Sequence, residues 1–190
     1  NILVIGDIML DKYIWGSVSR ISPEAPVQIV AVQKENYAPG GAANVASNIS
    51  SLKAKTYIMG IVGKDNTRNL LLSELRKRNI DTWGVLTVSK KPTIQKVRVI
   101  GQHQQLLRVD YEKKDSIDEH IEKEIIRRAS KIINKVDAVV ISDYAKGIIT
   151  KNTAENIIEI AKRKKKIIII DPKPEHKTFY GNVSLITPNY

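Results

Sequence analysis

The stretch AVVISDYAKGIITKNTAENIIEIAKRKKKIIIID, residues 138–171, decides the fold class. It opens with the apolar run 138–141 and closes with the apolar run 167–170, each of a length that suits a buried strand. Between the two runs, apolar residues recur at the spacing of an amphipathic helix: Ala154, Ile157, Ile158 and Ala161. A strand, a helix and a second strand in this order predict a β-α-β unit with parallel strands.

The same alternation continues through most of the chain. Further buried strands are predicted at 2–5 and 57–62, and further helices at about 42–52, 66–78 and 117–132. Near-continuous apolar strands that alternate with helices are typical of a mostly parallel sheet covered on both faces. The predicted fold class is therefore α/β.

Two segments, 27–32 and 93–111, interrupt this alternation because they have little helical character. Gly101, Gln102 and His103 form a predicted hairpin turn in the middle of the second segment. We interpret both segments as a small antiparallel sheet that projects from the main one.

The predicted hairpin carries charge on one face. Period-two alternation places Lys96 and Arg98 on one face of its first strand, and Gln104, Arg108 and Asp110 on one face of its second. If these two faces coincide, the basic cluster suits a phosphate group on a small substrate. A solvated edge strand protected by charge is the alternative interpretation.

Polar residues follow four of the predicted strands. In an open parallel sheet, ligands bind beyond the carboxyl ends of the strands, so these positions are candidates for a site. They comprise Asp7 with Asp11, the run 142–147, the run 171–173 and the run 187–189. Each alone could simply cap a helix, but their recurrence at one edge favours a binding site.

A Gly40-Gly41 pair precedes the predicted helix that contains Asn44. Two glycines permit close backbone approach, and a helix start offers free N–H groups to an anion or a hydroxyl. The element is neither a Walker loop nor a dinucleotide fingerprint. A glycine turn that only allows tight packing is an equally good interpretation of this segment alone.

The net charge of +11 raises the possibility of nucleic-acid binding, because a basic surface attracts phosphate whatever its sequence. The lysines are scattered, however, and the one dense run, 162–166, falls at a predicted helix end, where the helix dipole favours cations. Aromatic residues are 5% of the chain, too few for base-stacking platforms. We therefore expect no nucleic-acid partner; salt-sensitive retention on DNA or RNA would indicate the alternative.

Composition also limits the location and the metal chemistry. No apolar run approaches the roughly 20 residues of a membrane helix, and the first residues lack the features of a signal peptide. The chain has no cysteine, which fits a reducing interior, so we expect a cytoplasmic protein without a membrane partner. The dispersed His103, His120 and His176 predict no metal site.

The segments described above resemble the ribokinase/PfkB carbohydrate kinases. More narrowly, they resemble the heptose-7-phosphate kinase domains of the RfaE/HldE type, which serve ADP-heptose synthesis. The Gly-Gly…Asn element at 40–44 is shared by the wider superfamily, whereas the narrower resemblance rests on SRISPEAP at 19–26 and SDYAKG at 142–147. The other matching stretches are 6–13, 39–46, 104–110, 171–173 and 187–189.

The resemblance implies a ribokinase-like three-layer αβα fold with a β-lid formed by about 27–32 and 93–111. It also implies ATP and Mg²⁺ as cofactors, and phosphoryl transfer to the anomeric hydroxyl of D-glycero-D-manno-heptose 7-phosphate. Because lid strands of this family pair between subunits, a homodimer is implied as well.

Individual site residues follow from the same resemblance. Asp11 matches the sugar-binding aspartate with Asp7 nearby, and the matching substrate-binding turn consists of Gly40, Gly41 and Asn44. The lid residues assigned to the substrate phosphate are Lys96, Arg98, Gln104 and Arg108. Asp143 is a polar support, and the residues assigned to nucleotide or other phosphates are Lys146, Lys173 and Asn189.

One family element is missing from the 190 residues. The Gly-Ala-Gly-Asp segment, whose aspartate acts as the catalytic base in the family, would lie beyond Tyr190. We therefore expect this chain to be the N-terminal part of a single kinase domain and to be inactive by itself. The alternatives are a kinase for another sugar or a nucleoside, and a non-catalytic sugar-binding or dimerisation fragment.

Overall fold

The computed structural model describes residues 1–188 and contains two sheets, four α-helices and one 3₁₀ helix. The strands are β1 (Ile2–Gly6), β2 (Ile8–Ile21), β3 (Gln28–Gly41), β4 (Thr56–Val62), β5 (Ile80–Thr87), β6 (Ile94–Gly101), β7 (Gln104–Tyr111), β8 (Ala138–Ser142), β9 (Ile167–Asp171) and β10 (Leu185–Ile186). The helices are α1 (Ala42–Ser51), α2 (Asn66–Lys77), α3 (Glu119–Ile133), α4 (Lys151–Arg163) and the 3₁₀ helix Pro174–Phe179.

The main sheet has six parallel strands in the order β10-β9-β8-β1-β4-β5. The first strand lies inside the sheet, where Val4 pairs with Ile58 on β4 and with Val140 on β8. All the carboxyl ends of these strands point to one edge, as the β-α-β pattern predicts.

Helices cover both faces of the main sheet. Leu3 and Ile5 face a core that contains the apolar residues of α3 and α4, including Ile125 and Ile157. The intervening Val4 faces a second core with α1 and α2. This alternation of neighbouring side chains between two cores confirms the predicted three-layer αβα fold.

The second sheet has four strands in the order β3-β2-β6-β7 and forms the lid. β6 and β7 are the predicted hairpin, and Gln102 and His103 at its turn both have positive φ. The sheet is mixed rather than wholly antiparallel, because β2 and β6 run parallel. The predicted strand at 27–32 is only the beginning of β3, which continues to Gly41 and pairs along its length with the unpredicted β2.

Short connections join the lid to the main sheet. Asp7 alone separates β1 from β2, and β3 runs directly into α1 at Gly41. Asp65 caps α2 by accepting a hydrogen bond from the Arg68 N–H at 2.9 Å, and it also accepts one from the Thr93 N–H at 2.8 Å, just before β6.

No helix within residues 1–188 combines the length and the apolar character needed to cross a bilayer.

Candidate active site

The predicted strand-end residues meet at one edge of the main sheet. Asp7 follows β1, Asp143 follows β8 and Lys173 follows β9, and these three strands are neighbours in the sheet. The lid rises from the same edge, since β2 begins directly after Asp7. A site between the lid and the sheet edge is therefore built from groups that are distant in sequence.

Asp7 supports the loop that follows β8. Its side chain is 2% exposed and accepts hydrogen bonds from the backbone N–H groups of Tyr144 (2.8 Å) and Lys146 (3.2 Å). Burial raises the pKa of the Asp7 carboxyl to about 6, and the nearby Asp143 adds to this increase, although the backbone donors oppose it. Asp7 therefore holds the 144–146 backbone against the end of β1.

Asp143 is fully enclosed by protein groups. Its Oδ1 accepts from the Ala145 N–H at 2.9 Å. Its Oδ2 lies 2.7 Å from His176 Nδ1 and accepts from the Tyr180 hydroxyl at 2.6 Å. Burial raises the pKa of Tyr180, and the Asp143 carboxyl raises it further. Asp143 thus anchors the 3₁₀ helix to the loop that follows β8. This arrangement suits the predicted role of Asp143 as a polar support.

His176 and Tyr180 were missed by sequence reasoning. Neither belongs to a motif, and His176 lies 33 residues from Asp143 in the chain. The His176 ring also stacks on Phe179 with 4.4 Å between the ring centroids. Only the fold brings these side chains together, so no local pattern could have identified them.

The Gly40-Gly41 turn is required by close contacts. A Cβ on Gly40 would lie 2.6 Å from Asp11 Oδ2, so a larger residue would collide with that carboxylate. Gly41 has a φ of 55°, which favours glycine, and the next residue, Ala42, donates its N–H to the Asp7 carbonyl at 3.0 Å. Asn44 is exposed in the first turn of α1. The turn therefore brings Asp11 and the start of α1 to the same place.

Asp11 is paired with the lid. Its Oδ1 lies 2.5 Å from Arg98 Nη1, and both side chains are largely buried. The Arg98 guanidinium also lies 5.3 Å from the centroid of the Tyr13 ring. The parallel pairing of β2 with β6 brings these residues together, because Tyr13 and Arg98 are register partners.

The two charged faces of the hairpin coincide, as the phosphate-site interpretation requires. In the register of β6 and β7, Lys96 lies opposite Asp110, and Arg98 lies opposite Arg108. Lys96 Nζ lies 2.7 Å from Asp110 Oδ2, and Arg108 Nε lies 3.0 Å from Asp110 Oδ1. The cluster is consequently not a bare patch of positive charge, since carboxylates lie between the cations.

Gln104 does not join this cluster. The register shifts between Val99 and Ile100, so that Gln104 pairs with Gly101 instead of continuing the Arg108 face. The extra residue on β7 reverses the alternation beyond this point. Gln104 is exposed beside the hairpin turn, and its prediction as a residue of the basic face assumed an unbroken strand.

Glu112 extends the cluster to the main sheet and was also missed by sequence reasoning. Its Oε1 lies 2.7 Å from Lys146 Nζ, and its Oε2 lies 3.7 Å from Lys96 Nζ. Period-two alternation could have identified it, because Glu112 continues the series of Arg108 and Asp110.

Within residues 1–188, Lys173 makes no ion pair with that cluster. Its Nζ lies 5.4 Å from the centroid of the Tyr144 ring, within the range of a cation–π contact. It directly precedes the 3₁₀ helix that Asp143 anchors. Asn189, the remaining predicted phosphate contact, lies outside the described residues.

Residues 1–188 contain no group of three or more His, Cys, Asp or Glu side chains arranged to hold a metal ion. The acidic side chains at the edge are instead committed to protein partners, as described for Asp7, Asp11 and Asp143. This donor set does not fit a Mg²⁺ ion by itself.

Comparison with known proteins gives a consistent picture. Residues 1–190 match the family described as pfkB family carbohydrate kinase. The chain is 45% identical over 189 residues to the bifunctional protein HldE of Helicobacter pylori strain P12, covering 100% of this chain and 41% of that protein. It is 43% identical to the bifunctional protein HldE of Wolinella succinogenes, covering 100% of this chain and 40% of that protein.

Solved structures share the fold at low identity. A possible 1-phosphofructokinase from Thermotoga maritima aligns with a TM-score of 0.78 and 18% identity, over 100% of this chain and 60% of that one. Arabidopsis thaliana ribokinase complexed with ribose and ATP aligns with a TM-score of 0.62 and 17% identity, over 90% of this chain and 53% of that one. The family match covers the whole chain, and the chain belongs to the pfkB family of carbohydrate kinases.

Proposed function

We propose that this chain is the N-terminal part of an ATP-dependent kinase that phosphorylates the anomeric hydroxyl of D-glycero-D-manno-heptose 7-phosphate. The product would be the 1,7-bisphosphate, in the synthesis of ADP-heptose for lipopolysaccharide core. The observation that carries the proposal is the convergence of Asp11, the Gly40-Gly41 turn and the lid cations at one sheet edge. The 43–45% identity to HldE proteins supports the narrower substrate.

The proposed roles follow from this geometry. Asp11 and the Gly40-Gly41 turn hold the sugar hydroxyls, with Asn44 at the start of α1. The lid cations Lys96, Arg98 and Arg108 bind the phosphate that the sugar carries, and the lid excludes water from the acceptor. Because phosphoryl transfer depends mainly on positioning and charge neutralisation, these groups supply much of what the reaction needs from this half of the site.

The cofactors are ATP and Mg²⁺, of which ATP supplies the transferred phosphoryl group. Lys146, Lys173 and Asn189 are the candidates for nucleotide or other phosphates in this chain. The chain spans about 41% of the length of the curated relatives that it matches. We place the catalytic base and the magnesium ligands in the part of the kinase domain that follows residue 190, and we expect residues 1–190 to be inactive alone. The proposed location is the cytoplasm.

The proposed test of this function is the substitution Asp11→Ala in the full-length natural protein. Asp11 faces the glycine turn, so its loss should raise the KM for heptose 7-phosphate at least tenfold. A tenfold change corresponds to about the binding free energy that one charge-assisted hydrogen bond supplies. The KM for ATP should change little. Glu159→Gln on α4, whose carboxylate pairs with Arg163 on the helix surface, is a suitable control.

Undiminished phosphorylation by the Asp11→Ala variant would remove the sugar-binding assignment. A panel of fructose phosphate, ribose and nucleosides, measured with the wild-type protein, separates heptose 7-phosphate from the substrates of sister enzymes. Preference for any other member of the panel would redirect the proposal to another sugar or nucleoside kinase.

A further inference from the structure

Glu112 lies where the lid meets the main sheet. It directly follows β7, and its side chain is 15% exposed between two lysines from different parts of the molecule. Lys96 belongs to lid strand β6, whereas Lys146 belongs to the loop after β8, and each lysine side chain is 14% exposed. One carboxylate therefore brings a lid cation and a main-sheet cation together.

The arrangement needs Glu112 for electrostatic reasons. Two ammonium groups held this close in a partly buried place would repel each other, and a carboxylate between them offsets that repulsion. Lys146 is within hydrogen-bond distance of Oε1, at 2.7 Å. Lys96 is hydrogen-bonded to Asp110 at 2.7 Å, while Oε2 of Glu112 attracts it from 3.7 Å.

Two features show that this network is not a closed, self-sufficient ion pair. Glu112 Oε2 is buried and has no hydrogen-bond partner among residues 1–188. A lysine ammonium has three N–H donors, and the contacts above use one N–H of each lysine. The lysines thus retain donors for an incoming anion while Glu112 keeps them side by side.

We propose that Glu112 is a positioning residue. It holds Lys96 and Lys146 together in one binding site for the phosphate group already present on the sugar. This inference rests on the proposed function. It assigns Lys146, which the sequence resemblance gives to nucleotide or other phosphates, to the substrate phosphate. Glu112 itself acts through the two lysines and need not contact the substrate.

Lys173 has a different environment from Lys146. It lies against the Tyr144 ring, with its own contacts and without Glu112. Lys173 therefore has no ion-pair contact with Glu112 within residues 1–188, and we assign it to a phosphate of the nucleotide. A kinase that acts on a phosphorylated sugar needs one binding site for the sugar phosphate and another for the nucleotide phosphates.

The test compares Glu112→Gln with the wild type in the full-length natural protein, using heptose 7-phosphate and the same heptose without its phosphate. The KM for heptose 7-phosphate should rise about tenfold, as expected for weakening one charge-assisted contact. The KM for the unphosphorylated heptose and the KM for ATP should stay within about twofold of the wild-type values, because neither ligand binds at the sugar-phosphate site.

Glu74→Gln is the matched control. Glu74 on α2 also bridges two cations, Lys77 at 2.8 Å and Arg78 at 2.6 Å, and its side chain is 19% exposed. It lies away from the site, so the same substitution there should leave both sugar KM values unchanged. An equal penalty in this control would show that the effect of Glu112→Gln is a general loss of stability.

Lys146→Met provides a second variant that does not alter Glu112. It should produce a phosphate-dependent penalty of the same kind. Adding Glu112→Gln to it should raise the KM for heptose 7-phosphate by a smaller factor than in the wild type, because Glu112 acts in part through Lys146. A KM for heptose 7-phosphate that is unchanged or lower in Glu112→Gln would overturn the proposal, as would an equal increase for both sugars. Failure of the wild type to phosphorylate heptose 7-phosphate would instead refute the proposed function.

Discussion

At the scale of single residues, the site is defined by how its carboxylates are satisfied. Asp11 pairs with a lid arginine, and Asp7 accepts hydrogen bonds from loop backbone. Asp143 accepts from the Ala145 N–H and the Tyr180 hydroxyl and contacts His176 Nδ1. Of these, Asp7 has the more unusual environment, because burial raises its pKa while the loop donors lower it. Its protonation is therefore linked to the stability of the fold.

The pKa of Asp7 predicts a specific pH dependence. A folded-state pKa of about 6 lies above the ordinary value of 3.8, so folding favours the protonated form. The stability from this group is complete below about pH 4 and is lost as the pH rises through 6, by roughly 3 kcal/mol in total. In Asp7→Asn, this part of the pH dependence should disappear, as measured from unfolding curves at pH 4.5 and 7.5.

Asp81→Asn is the control for this measurement, since Asp81 is an exposed aspartate on β5 away from the site. It should leave the difference between the two pH values unchanged. If Asp7→Asn and the wild type lose the same stability between these pH values, the pKa of Asp7 is not raised in the folded state.

At the scale of elements, the 3₁₀ helix Pro174–Phe179 depends on a single buried carboxylate. The Tyr180 hydroxyl and His176 Nδ1 both contact Asp143 Oδ2. Within residues 1–188, this anchor fixes the segment that begins directly after Lys173. The orientation of Lys173 therefore depends on the anchoring of the helix behind it.

Tyr180→Phe tests this anchor. The substitution removes one of the donors to Asp143 and should destabilise the protein by about 1–3 kcal/mol, the usual cost of a lost hydrogen bond to a buried polar group. Amide hydrogen exchange should accelerate first in residues 174–180. Exchange that is unchanged there, with stability equal to the wild type, would show that His176 alone is sufficient.

Elements also show what the sequence could predict. The strands and helices with regular apolar periodicity, such as β8 and α3, were predicted within a few residues of their observed bounds. β2 was not predicted, because Asp11, Lys12 and Gly16 interrupt any alternating pattern on a strand that is partly exposed on both faces. β5 was missed for a similar reason, since it is an edge strand that contains Asp81 and Gly84.

The same reasoning explains the outcome for the site. Residues directly after buried strands, such as Asp7 and Asp143, were identifiable because topology alone places them at one edge. Gln104 was misplaced by a β-bulge, which leaves no mark in the sequence pattern. His176 and Tyr180 were not identifiable, because their contacts with Asp143 depend on the path of a loop.

At the scale of the whole molecule, the lid has an outer face that the main sheet does not cover. By register, Leu107, Val109 and Tyr111 lie opposite Val99, Val97 and Gln95, on the face away from Lys96 and Arg98. Leu107 and Tyr111 are 56% and 54% exposed. We propose that a second copy of the chain covers this face, which gives a homodimer through the β-lid.

Leu107→Asp tests the dimer. A charge in the middle of an apolar interface should prevent association, so the variant should sediment as a monomer at concentrations where the wild type is a dimer. Leu52→Asp is the control, because Leu52 is 82% exposed at the end of α1 and lies outside the lid. A wild-type protein that is monomeric at high concentration would contradict the proposal.

The position of β1 in the middle of the sheet has a consequence for protein synthesis. Ile2 is paired on one side with Thr56 and on the other with Ala138, so this early strand completes its ladder only after about 136 further residues have been made. At typical rates of protein synthesis, that delay is on the order of ten seconds. During this interval the apolar strand β1 has an unpaired edge, so the incomplete chain is open to aggregation until β8 has been made.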